Sequence, residues 1–186
     1  DLLVAAAEAD PGVGLWATRI HSDLFDGYIG GLLQLKDFAV RYIGNPEMLA
    51  SPDTFISGCS LFMRTEAAAA VGFIPEEYFL YYEDPAFSFE MRKHGFRLGA
   101  VMEVGVFHHE NLSTGRRSPL TEYYNRRNRW HFIQTYYPDH FKKQRHRRGY
   151  VFQRYFFRGR LDRIRIEFLA WSDFKNGRLG RCTRRL

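Results

Sequence analysis

The chain has 186 residues, 45% of them hydrophobic and 17% aromatic, which is enough for one domain with a packed core, or for one domain and a tail. Its net charge of +6 is divided unevenly, because residues 1–141 balance to −6 and residues 142–186 to +12. These numbers exclude a disordered chain and a long apolar span, and the two isolated cysteines exclude a disulfide framework and favour a reducing compartment.

The first part of the chain predicts short elements separated by loops. Alternating or β-branched apolar runs predict strands, and residues 44–54 predict a loop because Gly, Asn, Pro, Ser and Asp are concentrated there. In chain order we expect a helix at 1–10, strands at 13–20, 28–36 and 55–64, and a short helix that Thr65 caps and Gly72 ends.

The second part predicts longer helices. The expected elements are a helix at 84–94, one or two strands at 96–109, a helix at 120–137 closed by Pro138, and a long basic helix from residue 142. Strands that alternate with helices are typical of an α/β fold. We therefore predict an α/β body over residues 1–141 and a basic amphipathic helical tail over residues 142–186.

Apolar residues of the tail recur at helical spacing, at Phe157, Leu161, Ile164, Phe168 and Trp171. We prefer the interpretation that this stripe packs on the body. A second interpretation is a membrane-surface helix, with arginines on the opposite face. A third is a nucleic-acid-binding module that uses the interleaved aromatic residues, although the acidic body argues against a nucleic-acid groove.

Two adjacent carboxylates, Glu83 and Asp84, follow the aromatic run at 78–82. A purely structural interpretation is that Asp84 caps the helix, with Pro85 at its first position and Gly95 just past its end. A chemical interpretation is that one carboxylate is a base in a cleft. Like charge and a wall of aromatic residues would both raise the pKa of such a carboxylate, which favours the second interpretation.

Four segments in order carry a family resemblance. Residues 55–98, "FISGCSLFMRTEAAAAVGFIPEEYFLYYEDPAFSFEMRKHGFRL", resemble the acceptor-side half of an inverting family 2 glycosyltransferase of the GT-A type. The segments "VFHHENLSTG" and "YYNRRNRWHF" are similar to segments that follow in that family, and "WSDFKNGRLGR" is weakly similar. Rhamnosyltransferase-like members are the most similar in pattern. The resemblance covers roughly residues 1–137 and implies a partial GT-A fold, with a mixed sheet and flanking helices.

The resemblance implies that Asp84 deprotonates a sugar hydroxyl, which then displaces a nucleoside diphosphate from the donor with inversion. It implies that Glu83 holds the acceptor or tunes Asp84, and that Tyr82, Gly58 and Arg92 contact the acceptor. The donor would be a UDP- or dTDP-sugar, and the acceptor a saccharide or a lipid-linked saccharide.

The chain departs from the family pattern after the base. Many relatives carry an Asp and an Arg at the positions where this chain has Ala86 and Glu90, while Arg92 remains. This departure concerns the preference for a particular acceptor rather than the assignment of the base.

Two further groups of residues are candidates for the donor side. The resemblance implies that His108, or less favourably His109, is a ligand of Mn²⁺ or Mg²⁺ that follows the other ligands in the sequence. A purely structural interpretation is that both are ordinary histidines of a surface loop. Arg126, Arg127 and Asn128 would bind the donor diphosphate, and a solvated basic helix face is an equal alternative. Residues 113–115 would form a mobile flap, and 111–113 match a glycosylation sequon by pattern alone.

The sequence contains no Asp-x-Asp triplet, which in the family holds most of the metal. It also starts without Met, at a segment that is helical in pattern. We therefore expect that the donor-binding part lies upstream in a longer parent, and that these residues alone are inactive. We expect a cytoplasmic protein, with a peripheral position at the inner face of the plasma membrane as an alternative, and no nucleic-acid partner.

Overall fold

The computed structural model describes residues 1–23, 25–109 and 118–184, except for the side chain of Arg147. The chain forms two compact units. The sheet unit comprises residues 1–75 and 83–110, and the helical unit comprises residues 76–82 and 111–186. The predicted α/β class, with a mixed sheet and flanking helices, is confirmed.

The sheet unit has two three-stranded sheets. In chain order its elements are α1 (Leu2–Ala9), β1 (Val13–Ser22), β2 (Gly30–Gln34), β3 (Ala39–Ile43), a 3₁₀ helix (Pro46–Ala50), β4 (Thr54–Ile56), β5 (Leu61–Met63), α2 (Thr65–Ala70), α3 (Glu83–Lys93) and β6 (Arg97–His108). In the first sheet, β1 is central and pairs antiparallel with β5 and parallel with β6. In the second sheet, β2 is central between β3 and β4, and both pairs are antiparallel.

The core of the sheet unit lies around β1. Residues 13–18 are buried without alternation, as expected for a central strand that is covered on both faces. The largest cluster joins β1 with apolar residues of the second sheet and of α3, including Leu15, Ile29, Ile56, Phe87 and Met91. This packing fixes the first turn of α3, where the carboxylate pair lies, on the sheet unit.

The helical unit consists of α4 (Pro119–Tyr136), α5 (Pro138–Phe156) and α6 (Leu161–Lys175). Tyr123 and Tyr124 of α4 pack with Ile166 and Ala170 of α6. The predicted boundary between residues 141 and 142 lies inside α5, and the division into body and tail stays a prediction. No helix in the described ranges is both long and apolar enough to cross a membrane.

Several local predictions are wrong for identifiable reasons. The single strand predicted at 55–64 is two strands, because a turn with a hydrogen bond from Ser60 N to Ser57 O, 3.3 Å, separates them. Thr65 is inside α2 rather than its cap, and the N-cap position falls on Arg64. Strand β3 was not predicted, and four of its five residues are exposed, so it lacks the apolar alternation that marks a strand.

The predicted apolar stripe of the tail is only partly buried, because Ile164 and Trp171 are half-buried and its other members are exposed. The chain is not one helix from residue 142, since α5 ends at Phe156 and α6 begins at Leu161. Leu161 and Phe168 are exposed, whereas Ile166, Ala170 and Phe174 form the buried face of α6. The buried face also takes in two ion-paired carboxylates, so a count of apolar residues alone points to the wrong side of the helix.

Truncation on α6 distinguishes the two faces. Ile166→Ala should lower the free energy of unfolding by about 2–4 kcal/mol, because it leaves a cavity beside Tyr123 and Ala170. Leu161→Ala, the matched control on the predicted stripe, should change it by less than about 0.5 kcal/mol. Urea denaturation measures both values, and equal losses would contradict the observed orientation of α6.

Candidate active site

The first turn of α3 holds the carboxylate of Asp84 against the backbone of a distant turn. Asp84 Oδ2 accepts a hydrogen bond from the N–H of Gly58, 3.0 Å away. A Cβ at position 58 would lie 3.3 Å from the Asp84 Cβ, so a glycine here permits the close approach. The helix begins at Glu83, and Asp84 therefore lies inside its first turn rather than at the predicted N-cap.

Both carboxyl groups have raised pKa values. Burial, and after it the charge of Glu83, raises the pKa of Asp84 to about 7, against the opposing effect of the N–H groups of Gly58 and Asp84. Burial also raises the pKa of Glu83. Glu83 Oε2 is buried and has no hydrogen-bond partner within the described residues. Near neutral pH, Asp84 can thus both take up and release a proton, as a general base must.

The turn that carries Gly58 also presents small polar side chains. Cys59 Sγ lies 3.3 Å from Ser57 Oγ and 3.8 Å from the hydroxyl of Tyr28, and Ser60 Oγ bonds Thr18 Oγ1. Sequence reasoning singled out Gly58 alone from this turn. The signal that was available is the composition "SGCS", in which three small polar residues surround the glycine.

Arg92 has a structural role that differs from the predicted contact with an acceptor. Its guanidinium donates hydrogen bonds to Leu49 O at 2.9 Å, to Thr54 Oγ1 at 2.9 Å and to Thr54 O. These bonds attach α3 to the 3₁₀ helix and to β4 within the sheet unit. With these donors directed at these acceptors, Arg92 stabilises the scaffold of Asp84, and its predicted contact with an acceptor stays a prediction.

The segment that precedes Glu83 has an unusual backbone. Phe79, Tyr81 and Tyr82 have φ values of 62°, 65° and 73°, in the left-handed region that residues with a side chain rarely adopt. Tyr82 packs its ring 5.5 Å from the ring of Phe132. The predicted contact of Tyr82 with an acceptor stays a prediction.

Asn128 of α4 holds this segment. Its Nδ2 donates to the carbonyl oxygens of Tyr78 at 2.7 Å, Leu80 at 2.8 Å and Tyr81 at 2.8 Å. An amide nitrogen carries two hydrogens, so one hydrogen is shared between two acceptors. Asn128 is buried, and its role is to satisfy carbonyl groups that the irregular backbone leaves unpaired.

Arg127 is buried beside Asn128 and acts in the same way. Its guanidinium donates to Tyr78 O at 3.1 Å and to Gly180 O at 2.7 Å, and it lies 4.9 Å from the ring centre of Tyr124. Arg127 and Asn128 are both engaged with the backbone, and their predicted role as diphosphate ligands stays a prediction.

Arg126 is engaged by side chains of the other two helices. It forms an ion pair with Glu167 of α6 and donates to the hydroxyl of Tyr155 of α5 at 2.6 Å. Burial lowers the pKa of Arg126, but the charges of Glu167 and Glu122 and the hydroxyl of Tyr155 together outweigh it, so the pKa is raised. Arg126 therefore joins three helices, and its predicted role on a diphosphate stays a prediction.

The two histidines lie at the end of β6. His108 is half-buried and pairs in register with Ser22 of β1, while His109 is exposed, with Nδ1 3.4 Å from Asp23 Oδ2. Across the described ranges, no three His, Cys, Asp or Glu side chains come together as a metal site. The flap predicted at 113–115 and the sequon at 111–113 lie outside the described residues.

No family model, no curated protein and no solved structure matches this chain. The case for a function therefore rests on the residues of the site and on the resemblance of their order to a family pattern.

The raised pKa of Asp84 predicts a pH-dependent stability. From its ordinary value of 3.8 to about 7, the folded state binds more protons than the unfolded state, so the free energy of unfolding falls as pH rises through this window. Asp84→Asn cannot ionise, and its amide oxygen can still accept from Gly58. The variant should lack this fall and be more stable than wild type above pH 7, by up to about 4 kcal/mol.

Urea denaturation between about pH 4 and pH 8 measures the difference between variant and wild type. Glu8→Gln, an exposed carboxylate change on α1, is the matched control and should follow the wild-type pH profile. Parallel profiles for Asp84→Asn and wild type would contradict a raised pKa at this position.

Loss of the Asn128 amide should destabilise the fold. Asn128→Ala removes a hydrogen bond from each of three carbonyl groups, of which Tyr78 O keeps the bond from Arg127, and should lower the free energy of unfolding by about 3 kcal/mol. Asn125→Ala, one turn earlier on α4, removes a single bond to Thr121 O and should cost less than about 1 kcal/mol. Similar losses in the two variants, measured in urea, would show that Asn128 does not hold the segment.

Proposed function

We propose that this chain forms the acceptor side of an inverting glycosyltransferase of the GT-A type, with Asp84 as its general base. The observation that carries the proposal is the Asp84 carboxyl group, which is held by the N–H of Gly58 and has a pKa raised to about 7. The order of the four family-like segments supports the same conclusion. A base whose pKa lies near the working pH combines a useful ionised fraction with enough basicity.

In the proposed reaction, ionised Asp84 accepts the proton of an acceptor sugar hydroxyl. The hydroxyl oxygen forms a bond to the anomeric carbon of the donor, and the bond from that carbon to the diphosphate oxygen breaks. The electron pair of the broken bond leaves with the nucleoside diphosphate. Because Oδ2 is engaged by Gly58, the proton is accepted at Oδ1.

Glu83 has a supporting role in this proposal. Its charge is the second cause of the raised pKa of Asp84, so it makes Asp84 a stronger base. Its Oε2 is buried without a partner in the described residues, and an acceptor hydroxyl can satisfy it. The acceptor is a saccharide, free or linked to a lipid.

The family resemblance implies a divalent cation and a UDP- or dTDP-sugar donor. The described residues do not fit a complete site for Mn²⁺ or Mg²⁺, because these ions take several oxygen ligands and His108 offers one nitrogen. No Asp-x-Asp triplet occurs in the sequence. The proposal therefore assigns the donor and the metal mainly to residues other than those described, and it assigns the protein to the cytoplasm.

Replacement of the base tests the proposal. In the full-length protein that contains these residues, Asp84→Asn should lower the rate of sugar transfer by about 10²–10⁴-fold. Donor binding, measured by calorimetry with UDP- and dTDP-sugars, should be unchanged because the amide keeps the shape of the site. Glu90→Gln, two turns along α3, is the matched control and should retain transfer.

The pH profile gives an independent check. Transfer by the wild type should rise as pH increases through about 7 and level off above it, because Asp84 must be ionised to accept a proton. Transfer by Asp84→Asn within about threefold of wild type would disprove the assignment of the base.

A further inference from the structure

The turn between α5 and α6 places large apolar side chains in solvent. Phe156 is 60% exposed, Phe157 83% and Leu161 67%. The turn is closed by hydrogen bonds from Gly159 N to Phe156 O and from Arg160 N to Tyr155 O, both 3.0 Å, and Gly159 has a φ of 63°. Residues 156–161 are therefore an ordered apolar tip, which we call the hairpin tip.

The surroundings of the hairpin tip are strongly basic. Residues 142–165 contain ten Lys and Arg and one acidic residue, Asp162. Asp162 is engaged by Arg160 and Arg163, at 3.0 Å and 3.1 Å. Arg154, Arg158 and Arg165 are exposed. Glu122 also pairs with Arg163, and Glu167 with Arg148, which leaves the region with a net positive charge beside the exposed aromatic and aliphatic groups of the tip.

We propose that the hairpin tip is a membrane-surface site that inserts Phe156, Phe157 and Leu161 into the headgroup region of an anionic bilayer. Aromatic and aliphatic side chains gain from leaving water, and arginines keep their guanidinium groups among the lipid phosphates while their stems lie in apolar surroundings. Anionic lipid supplies the opposite charge.

The geometry favours a bilayer over a nucleic acid. A nucleic acid would neutralise the arginines and could stack on the two phenylalanines, but it would leave Leu161 in water. A bilayer surface accommodates the charge and all three apolar side chains together. Phe168, 53% exposed on α6, extends the apolar surface from the tip. The site is independent of the proposed catalysis, since none of its residues belongs to the Asp84 site.

Flotation of the 186-residue chain with vesicles tests the site. The chain should float with phosphatidylcholine vesicles that contain about 30% phosphatidylglycerol, and not with pure phosphatidylcholine vesicles. Raising NaCl from about 0.1 M to about 0.5 M should release it at least partly. Phe157→Ser combined with Leu161→Ser should lower the vesicle partition coefficient at least about tenfold while leaving the charge unchanged.

The control variant changes two other exposed apolar residues, which lie in the sheet unit. Leu2→Ser combined with Phe73→Ser, at 55% and 57% exposed, should bind vesicles within about twofold of wild type. Circular dichroism checks that each variant is folded. Three results would overturn the proposal: no binding to anionic vesicles, undiminished binding by the tip variant, or a tip-dependent dimer or oligonucleotide complex in place of vesicle binding.

Discussion

The helical unit depends on one buried amide that serves an irregular backbone. Asn128 donates to three carbonyl groups of residues 78–81, and Arg127 adds a guanidinium to the first of them. Unpaired buried carbonyls are costly, and left-handed backbone at residues with side chains adds strain of about 1–3 kcal/mol per residue. The hydrogen bonds from Asn128 and Arg127 offset this cost. The chain continues from this segment directly into Glu83.

In the carboxylate pair, burial raises the pKa of Asp84 by more than the hydrogen-bond donors lower it. The N–H of Gly58 stabilises the charged form of Asp84, yet desolvation and the neighbouring Glu83 raise its pKa further than that bond lowers it. A capping aspartate would have the reverse balance, because free N–H groups and the helix dipole favour the charge. The surroundings therefore destabilise the ionised form of Asp84, as is typical of a group that transfers protons.

Local sequence patterns predicted the ends of several helices and strands, but they could not predict contacts between residues that lie far apart in the sequence. Strand β1 and helix α4 fall within two residues of their predicted limits, because apolar runs, proline and glycine act locally. The roles of Arg127 and Arg92 were not predictable, since their acceptors lie about 40–50 residues away in sequence and are backbone atoms that any residue could supply. Asp84 and Gly58 were both singled out by the family resemblance, although the bond between them follows from packing alone.

The arginines of the helical unit divide into two classes that composition cannot separate. Glu167 and Asp173 are buried on α6, and burying a charge is tolerable only when it is paired, so Arg126 and Arg148 face Glu167 while Arg178 and Arg184 face Asp173. These arginines are neutralised where they lie. The remaining positive charge is carried by exposed arginines, several of which surround the hairpin tip. The same pairing lets α6 turn two carboxylates inward beside its buried apolar residues Ile166, Ala170 and Phe174, while Leu161 and Phe168 stay outside.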